Sequence, residues 1–201
     1  MQYTVALLLV GLQAAARTRM QPSVISRVDP DFSEMARRGG VQGTVLLRLT
    51  IAADGVPHNP QVLRPLGYGL DEKAVDAVMH WKFSPLMKDG VAVEVPTIEM
   101  NFRSLDNKHQ SLGPMIFTKE PGITPPAVTE LEMPPFSSPG EAALEFTVTE
   151  QGDTENYKIT SNLTSADQKL LLEAFRKWRF RPGTRDGVLV PLRGTVTYTV
   201  Q

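Results

Sequence analysis

Not one of the 201 residues is a cysteine, which excludes disulfides, thiolate zinc sites and thiol nucleophiles in any compartment. Neither sign of charge prevails. Lys and Arg number 21 and Asp and Glu 22, a formal net charge of -1, too weak a field to make nucleic acid or an anionic membrane surface the main partner. The three histidines, His58, His80 and His109, lie on separate elements without metal-ligand spacing, so no metal and no other cofactor is expected. Nucleophile, base and oxyanion donors that could converge are also missing. Asp71, Glu72 and Asp76 fall on the polar side of a helix, the pairs Asp54-Gly55, Asp89-Gly90 and Asp186-Gly187 are turn chemistry, and there is no Gly-rich phosphate loop. An enzyme is therefore not expected.

Long hydrophobic runs are absent as well. The one apolar run, Val5 to Val10 continuing through Gly11 and Leu12 to Ala14, Ala15 and Ala16, is far short of the roughly 20 residues that cross a bilayer. The small residues before Arg17 fit an export signal cleaved after Ala16, residues 1–16. No Lys or Arg precedes the run, which leaves open a buried amino-terminal helix, or a start upstream of Met1 with a longer membrane anchor. Over the full 201 residues, 41% hydrophobic and 21% charged place the chain in the soluble globular class.

What the sequence does contain is an internal repeat. Trp81-Lys82-Phe83-Ser84-Pro85 recurs 97 positions on as Trp178-Arg179-Phe180-Arg181-Pro182, and Asp89-Gly90-Val91-Ala92-Val93 recurs at the same offset as Asp186-Gly187-Val188-Leu189-Val190. Without a gap, 14 of the 51 positions from Gly43 to Val93 match their counterparts, Gly43/Gly140, Gly55/Gly152 and Ala77/Ala174 among them.

Each copy opens with period-two alternation: Val45, Leu47, Leu49 and Ile51 in the first, Leu144, Phe146 and Val148 in the second, a strand with one buried face. Asp54-Gly55 and Gln151-Gly152 turn the chain into a returning strand holding Val62, or Tyr157 and Ile159. A helix follows, its stripe formed by Leu70, Ala74, Ala77, Val78 and Trp81, or by Leu171, Ala174, Phe175 and Trp178. Ser165-Ala166-Asp167-Gln168 reads as a capping box, and Pro85 and Pro182 end the helices. The closing strands, Ile98, Met100 and Phe102 against Val196, Tyr198 and Val200, match at an offset of 98, one inserted residue. A leading helix is expected in the first copy alone, with Asp29 as N-cap, Pro30 as first residue, Phe32, Met35 and Ala36 packing and Gly39 as stop. The fold class is α+β: two small tandem domains, each a three-stranded antiparallel sheet on one helix in the order β-β-α-β. Their bounds are 27–103 and 140–201, joined by a Pro-rich extended linker, 104–139.

These motifs together resemble the carboxy-terminal domain of the TonB family of periplasmic energy transducers. They are Asp29-Pro30-Asp31-Phe32 with Arg37-Arg38-Gly39, Gly43-Thr44-Val45, Asp54-Gly55, Leu70-Asp71-Glu72-Lys73-Ala74, Trp81-Lys82-Phe83-Ser84-Pro85 and Ile98-Glu99-Met100-Asn101-Phe102. The resemblance covers Val28 to Arg103; Gly140 to Gln201 resembles a degenerate second member. It implies a periplasmic domain, free of catalysis, that grips a short extended segment of an outer-membrane transporter, with energy from an inner-membrane motor. The membrane-spanning helix and long Pro-rich spacer of such transducers do not precede the first domain here, which sets peptide binding apart from energy coupling.

In a sheet of this connectivity the first strand lies in the middle and two edges remain. Pro57 and Pro60 remove donors from the returning strand, whereas Thr97, Ile98, Glu99, Met100, Asn101, Phe102 and Arg103 carry no proline, so that run is the expected partner-binding edge. Trp81, Phe83, Pro85, Trp178, Phe180 and Pro182 are expected to be structural, pinning helix to sheet. Two other readings stay open. The closing strands of the two copies could pair with each other in a purely structural protein, or the basic run Arg176, Lys177, Arg179, Arg181 and Arg185 could hold cell-wall glycan.

Overall fold

The computed structural model describes residues 23–52, 54–84, 93–102, 110–136 and 138–201. The expected export signal (1–16) lies outside them, as do Pro85, Asp89-Gly90, Arg103 and His109. Among the described residues no helix is long and apolar enough to cross a membrane. The class is α+β, with antiparallel strand pairing throughout the described sheets and few helices.

The first unit runs β1 (Val24–Ser26), α1 (Glu34–Arg38), β2 (Gly43–Ile51), β3 (Pro57–Arg64), α2 (Leu70–Met79), β4 (Lys82–Phe83) and β5 (Val93–Phe102). Its sheet has the order β3-β2-β5. Val45, Leu47, Leu49 and Ile51 of β2 are all buried, and α2 lays Leu70, Ala74, Ala77 and Val78 over that face. Burial of the Val, Leu and Ile side chains among these contributes about 1.5–3 kcal/mol each.

Two local expectations need correction. The leading helix begins at Glu34 rather than at Pro30, and its N-cap is Ser33, whose hydroxyl accepts from Ala36 N–H at 3.0 Å and donates to the Tyr68 carbonyl. Asp29 instead pairs with Arg27 at 2.7 Å. The helix stops where Gly40 adopts φ +59°, one residue after Gly39. The tryptophans, in turn, follow their helices rather than ending them: α2 stops at Met79, and Trp81 occupies the turn beyond, its N–H bonded to the Val78 carbonyl at 3.1 Å. The next residues form β4, which pairs with β1.

The second unit begins earlier than residue 140. β6 (Gln110–Leu112), β7 (Ile116–Phe117), β8 (Ile123–Thr124) and β9 (Ala127–Glu130) occupy the stretch read as a linker, ahead of β10 (Gly140–Val148), β11 (Thr154–Ser161), α3 (Ser165–Phe175), β12 (Arg179–Arg181), β13 (Thr184–Arg185), β14 (Val188–Leu189) and β15 (Leu192–Val200). The main sheet has the order β11-β10-β15-β6, with β7 also on β15. Every proline of the stretch falls between these strands, where no ladder donor is lost. α3 is capped by Thr164, not Ser165; its hydroxyl accepts from Asp167 N–H at 3.2 Å and donates to the Asp167 carboxylate at 2.8 Å.

Local geometry recurs at the sequence offset. The Ala52/Val56 and Gly55/Ala52 bonds of the first hairpin reappear as Thr149/Asp153 and Gly152/Thr149, between 2.9 and 3.1 Å. Asn59 and Asn156 both adopt left-handed φ, 49° and 54°. Trp81 Nε1 donates to the Val28 carbonyl at 2.8 Å and Trp178 Nε1 to that of Glu132 at 2.9 Å. β9 thus stands to β12 as β1 stands to β4, with Val128 opposite Phe180 and Val24 opposite Phe83. In the closing strands Gly43 faces Phe102 and Gly140 faces Val200. That offset of 98 is a net figure. In β5 a register break sets Pro96 and Thr97 against Arg48 alone, whereas β15 pairs with β10 without a break, so the longer approach to β15 is partly offset by a bulge in β5.

Candidate functional site

β5 pairs with β2 on one side, and among the described residues no strand pairs with its other side. Ile98, Met100 and Phe102 turn inward and are buried, and the Phe102 ring meets that of Phe32 edge-on at 5.6 Å. Glu99 and Asn101 are exposed. The Thr44 hydroxyl donates to the Asn101 side-chain oxygen at 2.7 Å, tying β2 to β5 across that face. Thr97 belongs to the bulge; Arg103 lies outside the described residues.

The second unit indicates which backbone groups of β5 point outward. On β15 the carbonyls of Thr197 and Arg193 accept from Gly113 and Thr118 N–H at 2.9 and 3.4 Å, and Thr199 faces Ser111. At the offset of 98, Thr197 and Thr199 correspond to Glu99 and Asn101, whose alternation with the inward Ile98, Met100 and Phe102 follows the strand period of two. The outer edge of β15 is therefore occupied by the chain's own β6 and β7. With β10 on its other side it has no free edge for β5, which corrects the reading in which the two closing strands pair with each other.

The remaining edges differ in how they are closed. β3 carries Pro57 and Pro60 and a break in register at Asn59. β11, an edge that sequence reasoning passed over, has no proline and is interrupted where Asn156 turns to positive φ and the register with β10 shifts. The signal for it was available: Asn59 and Asn156 are one of the matched pairs of the repeat.

The basic run does not form one patch. Lys177 pairs with Glu132 at 2.6 Å, Arg179 with Asp153 at 3.4 Å and Arg185 with Glu120 at 2.7 Å, while the Arg176 guanidinium lies 5.7 Å over the Tyr157 ring. His58 is on β3, and His80 Nδ1 lies 2.8 Å from the Asp76 carbonyl. Among the described residues no group of three His, Asp or Glu could hold a metal ion. Asp71, expected on a polar face, is partly buried and accepts from Leu66 and Gly67 N–H at 2.8 and 2.9 Å. Burial raises its pKa above the ordinary carboxyl value, against the opposing pull of those two bonds. Trp81, Phe83, Trp178 and Phe180 are all buried, and Pro182 lies just beyond β12.

Residues 28–104 match the model of the Gram-negative bacterial TonB protein C-terminal family. They form a TonB carboxy-terminal domain. Two curated relatives align with the chain: Protein TonB of Vibrio cholerae, 37% identical over 75 residues, which are 36% of this chain and 31% of the relative, and Protein tonB2 of Pseudomonas aeruginosa, 44% identical over 57 residues, 28% and 21% respectively. The chain thus spans less than a third of either relative. The TonB domain holds the whole β3-β2-β5 sheet, with the edge of β5 that is unpaired among the described residues; the second unit lies beyond the matched range.

Proposed function

We propose that the chain is a non-catalytic periplasmic adaptor whose TonB domain takes an extended segment of an outer-membrane TonB-dependent transporter, or of another envelope protein, as an added strand on Thr97 to Arg103, in service of TonB-dependent transport. The observation that carries this reading is that, among the described residues, the outer edge of β5 is unpaired, when the equivalent edge of β15 is filled by a strand and β3 carries prolines. Glu99 and Asn101 supply the outward donors and acceptors. Each main-chain bond contributes a net 0.5–1.5 kcal/mol or so, offset by the ordering of the peptide, so the contact is weak and reversible. The second unit is a degenerate copy of the same domain, supported by the recurring hairpin, tryptophan and asparagine geometry, and the outer edge of its closing strand is already paired with β6 and β7.

The test is binding of a peptide that carries the short extended segment of a TonB-dependent transporter, followed by fluorescence polarisation. Glu99→Pro and Asn101→Pro remove outward donors and are expected to abolish binding while the chain stays folded; Glu99→Ala and Asn101→Ala retain it. Undiminished binding by the two proline variants would refute strand addition at this edge.

A further inference from the structure

Between the two units lies a second feature unrelated to either strand edge. A cleft of about 440 Å³ is walled on one side by Tyr68 and the start of α2 and on the other by Pro125, Pro126 and β12, with Met115, Ile116 and Phe117 along it. That volume lies in the range of small-ligand and short-peptide clefts, about 300–1,000 Å³. Ile116 leaves 60% of its surface exposed here, an apolar side chain with water on it in a crevice formed by two packed units.

Four charged side chains line the cleft, Asp71, Glu72, Lys119 and Arg181, and the Lys119 Nζ is held on the Leu63 carbonyl at 3.3 Å. Glu72, in the first turn of α2, and Arg181, at the end of β12, both line the cleft. Among the described residues neither makes a side-chain hydrogen bond or ion pair. Arg181 is distinctive within its basic run, since Arg176, Lys177, Arg179 and Arg185 are each engaged within the chain. Asp71 beside Glu72 is committed to the Leu66 and Gly67 amides, which leaves Glu72 as the available carboxylate. The prolines of the wall have no N–H to extend a ladder, so an occupant is held by side-chain packing and by its charged ends.

We propose that this cleft binds a short extended peptide segment with an aliphatic middle, a cationic residue at the Glu72 lip and a carboxylate at the Arg181 lip. Recognition there is independent of strand addition on β5, and the two are distinguished by where a bound peptide perturbs the protein.

The test uses the full chain, labelled with nitrogen-15, titrated with capped pentapeptides of three aliphatic residues flanked by Lys and Asp, by two Lys or by two Asp. The mixed-charge peptide is expected to shift the amides of Tyr68, Met115 and Ile116 and to bind about three- to fivefold tighter than either like-charged peptide, as for one exposed ion pair gained. Glu72→Lys should transfer the preference to the diacidic peptide and Arg181→Glu to the dibasic one. Shifts confined to Glu99 and Asn101 would assign the peptide to the β5 edge and overturn the cleft. So would the absence of any shift at millimolar peptide, or unchanged preferences in both variants.

Discussion

The Phe180 carbonyl lies so close over Gly152 that a side chain cannot stand between them: a Cβ on Gly152 would be 2.0 Å from that oxygen, at φ +86°. Phe180 N–H in turn donates to the Gly152 carbonyl at 2.9 Å. Gly55 and Phe83 repeat the arrangement, with 2.2 Å, φ +81° and a 3.0 Å bond. One glycine thus fastens the hairpin turn of each unit to the strand that follows its helix, the close approach that only a residue without Cβ allows.

Gly55→Ala and Gly152→Ala therefore carry two penalties, a left-handed backbone and a clash with main-chain atoms that cannot rotate away. Each is expected to cost about 2–4 kcal/mol in urea unfolding. Gly187→Ala provides the control: its φ is +83°, yet nothing lies within 4 Å of an added Cβ, and the cost should fall to about 1 kcal/mol.

The indoles of Trp81 and Trp178 each combine burial with one hydrogen bond, to the Val28 and Glu132 carbonyls. Trp178→Ala should cost about 3–5 kcal/mol. Trp178→Phe keeps most of the ring and loses the donor, for roughly 1–2 kcal/mol. Equal losses in the two variants of either tryptophan, measured by denaturant midpoint, would mean that the hydrogen bond, not packing, holds the leading segment.

Alkaline titration tests the two buried phenols. Burial raises the pKa of Tyr68 and Tyr198 well above 10.0, with the charge of Asp167 a lesser cause at Tyr198. A raised folded pKa means stability that is complete below the unfolded value and declines as pH rises past it. Unfolding free energy should therefore fall above about pH 10. Absorbance at the phenolate band should show both residues still protonated at that pH in the native protein. Tyr68→Phe and Tyr198→Phe together should flatten the decline.

Much of this was readable from periodicity. The alternation of β2 and β10, the helical stripes and the register of the closing strands follow from side-chain periods of two and 3.6, which are local. What escaped depends on residues far apart in sequence. Asp29 is as good a cap by type as Ser33, but Ser33 is fixed by Tyr68, 35 positions away, and Asp29 is drawn to Arg27. The Pro-rich stretch looked like a linker because its strands are two to four residues long, too short for a period to register, and their partners lie more than 40 residues on. The Glu72 and Arg181 cleft required the packing of two units, which no single-unit pattern encodes.

The segment over residues 110–115, which opens with β6, bonds to both units. Ser111 faces Thr199 and Gly113 N–H reaches the Thr197 carbonyl on β15, whereas Leu112 N–H donates to Gly39 at 2.9 Å and Met115 N–H to Leu66 at 3.2 Å in the first unit. The Tyr68 hydroxyl adds a bond to the Gly113 carbonyl at 3.0 Å. A segment so placed runs between the two sheets, whose buried side chains form one continuous core, so heating should unfold the chain in a single transition with calorimetric and van't Hoff enthalpies in agreement. Leu112→Pro removes a donor to the first unit and Ser111→Pro one to the second, each worth about 0.5–1.5 kcal/mol before the added strain of the ring. Either substitution should split the calorimetric peak in two, with little loss in the hairpin bonds of each sheet by hydrogen exchange. A single sharp transition in both variants would place the coupling in the apolar contacts alone and not in the segment.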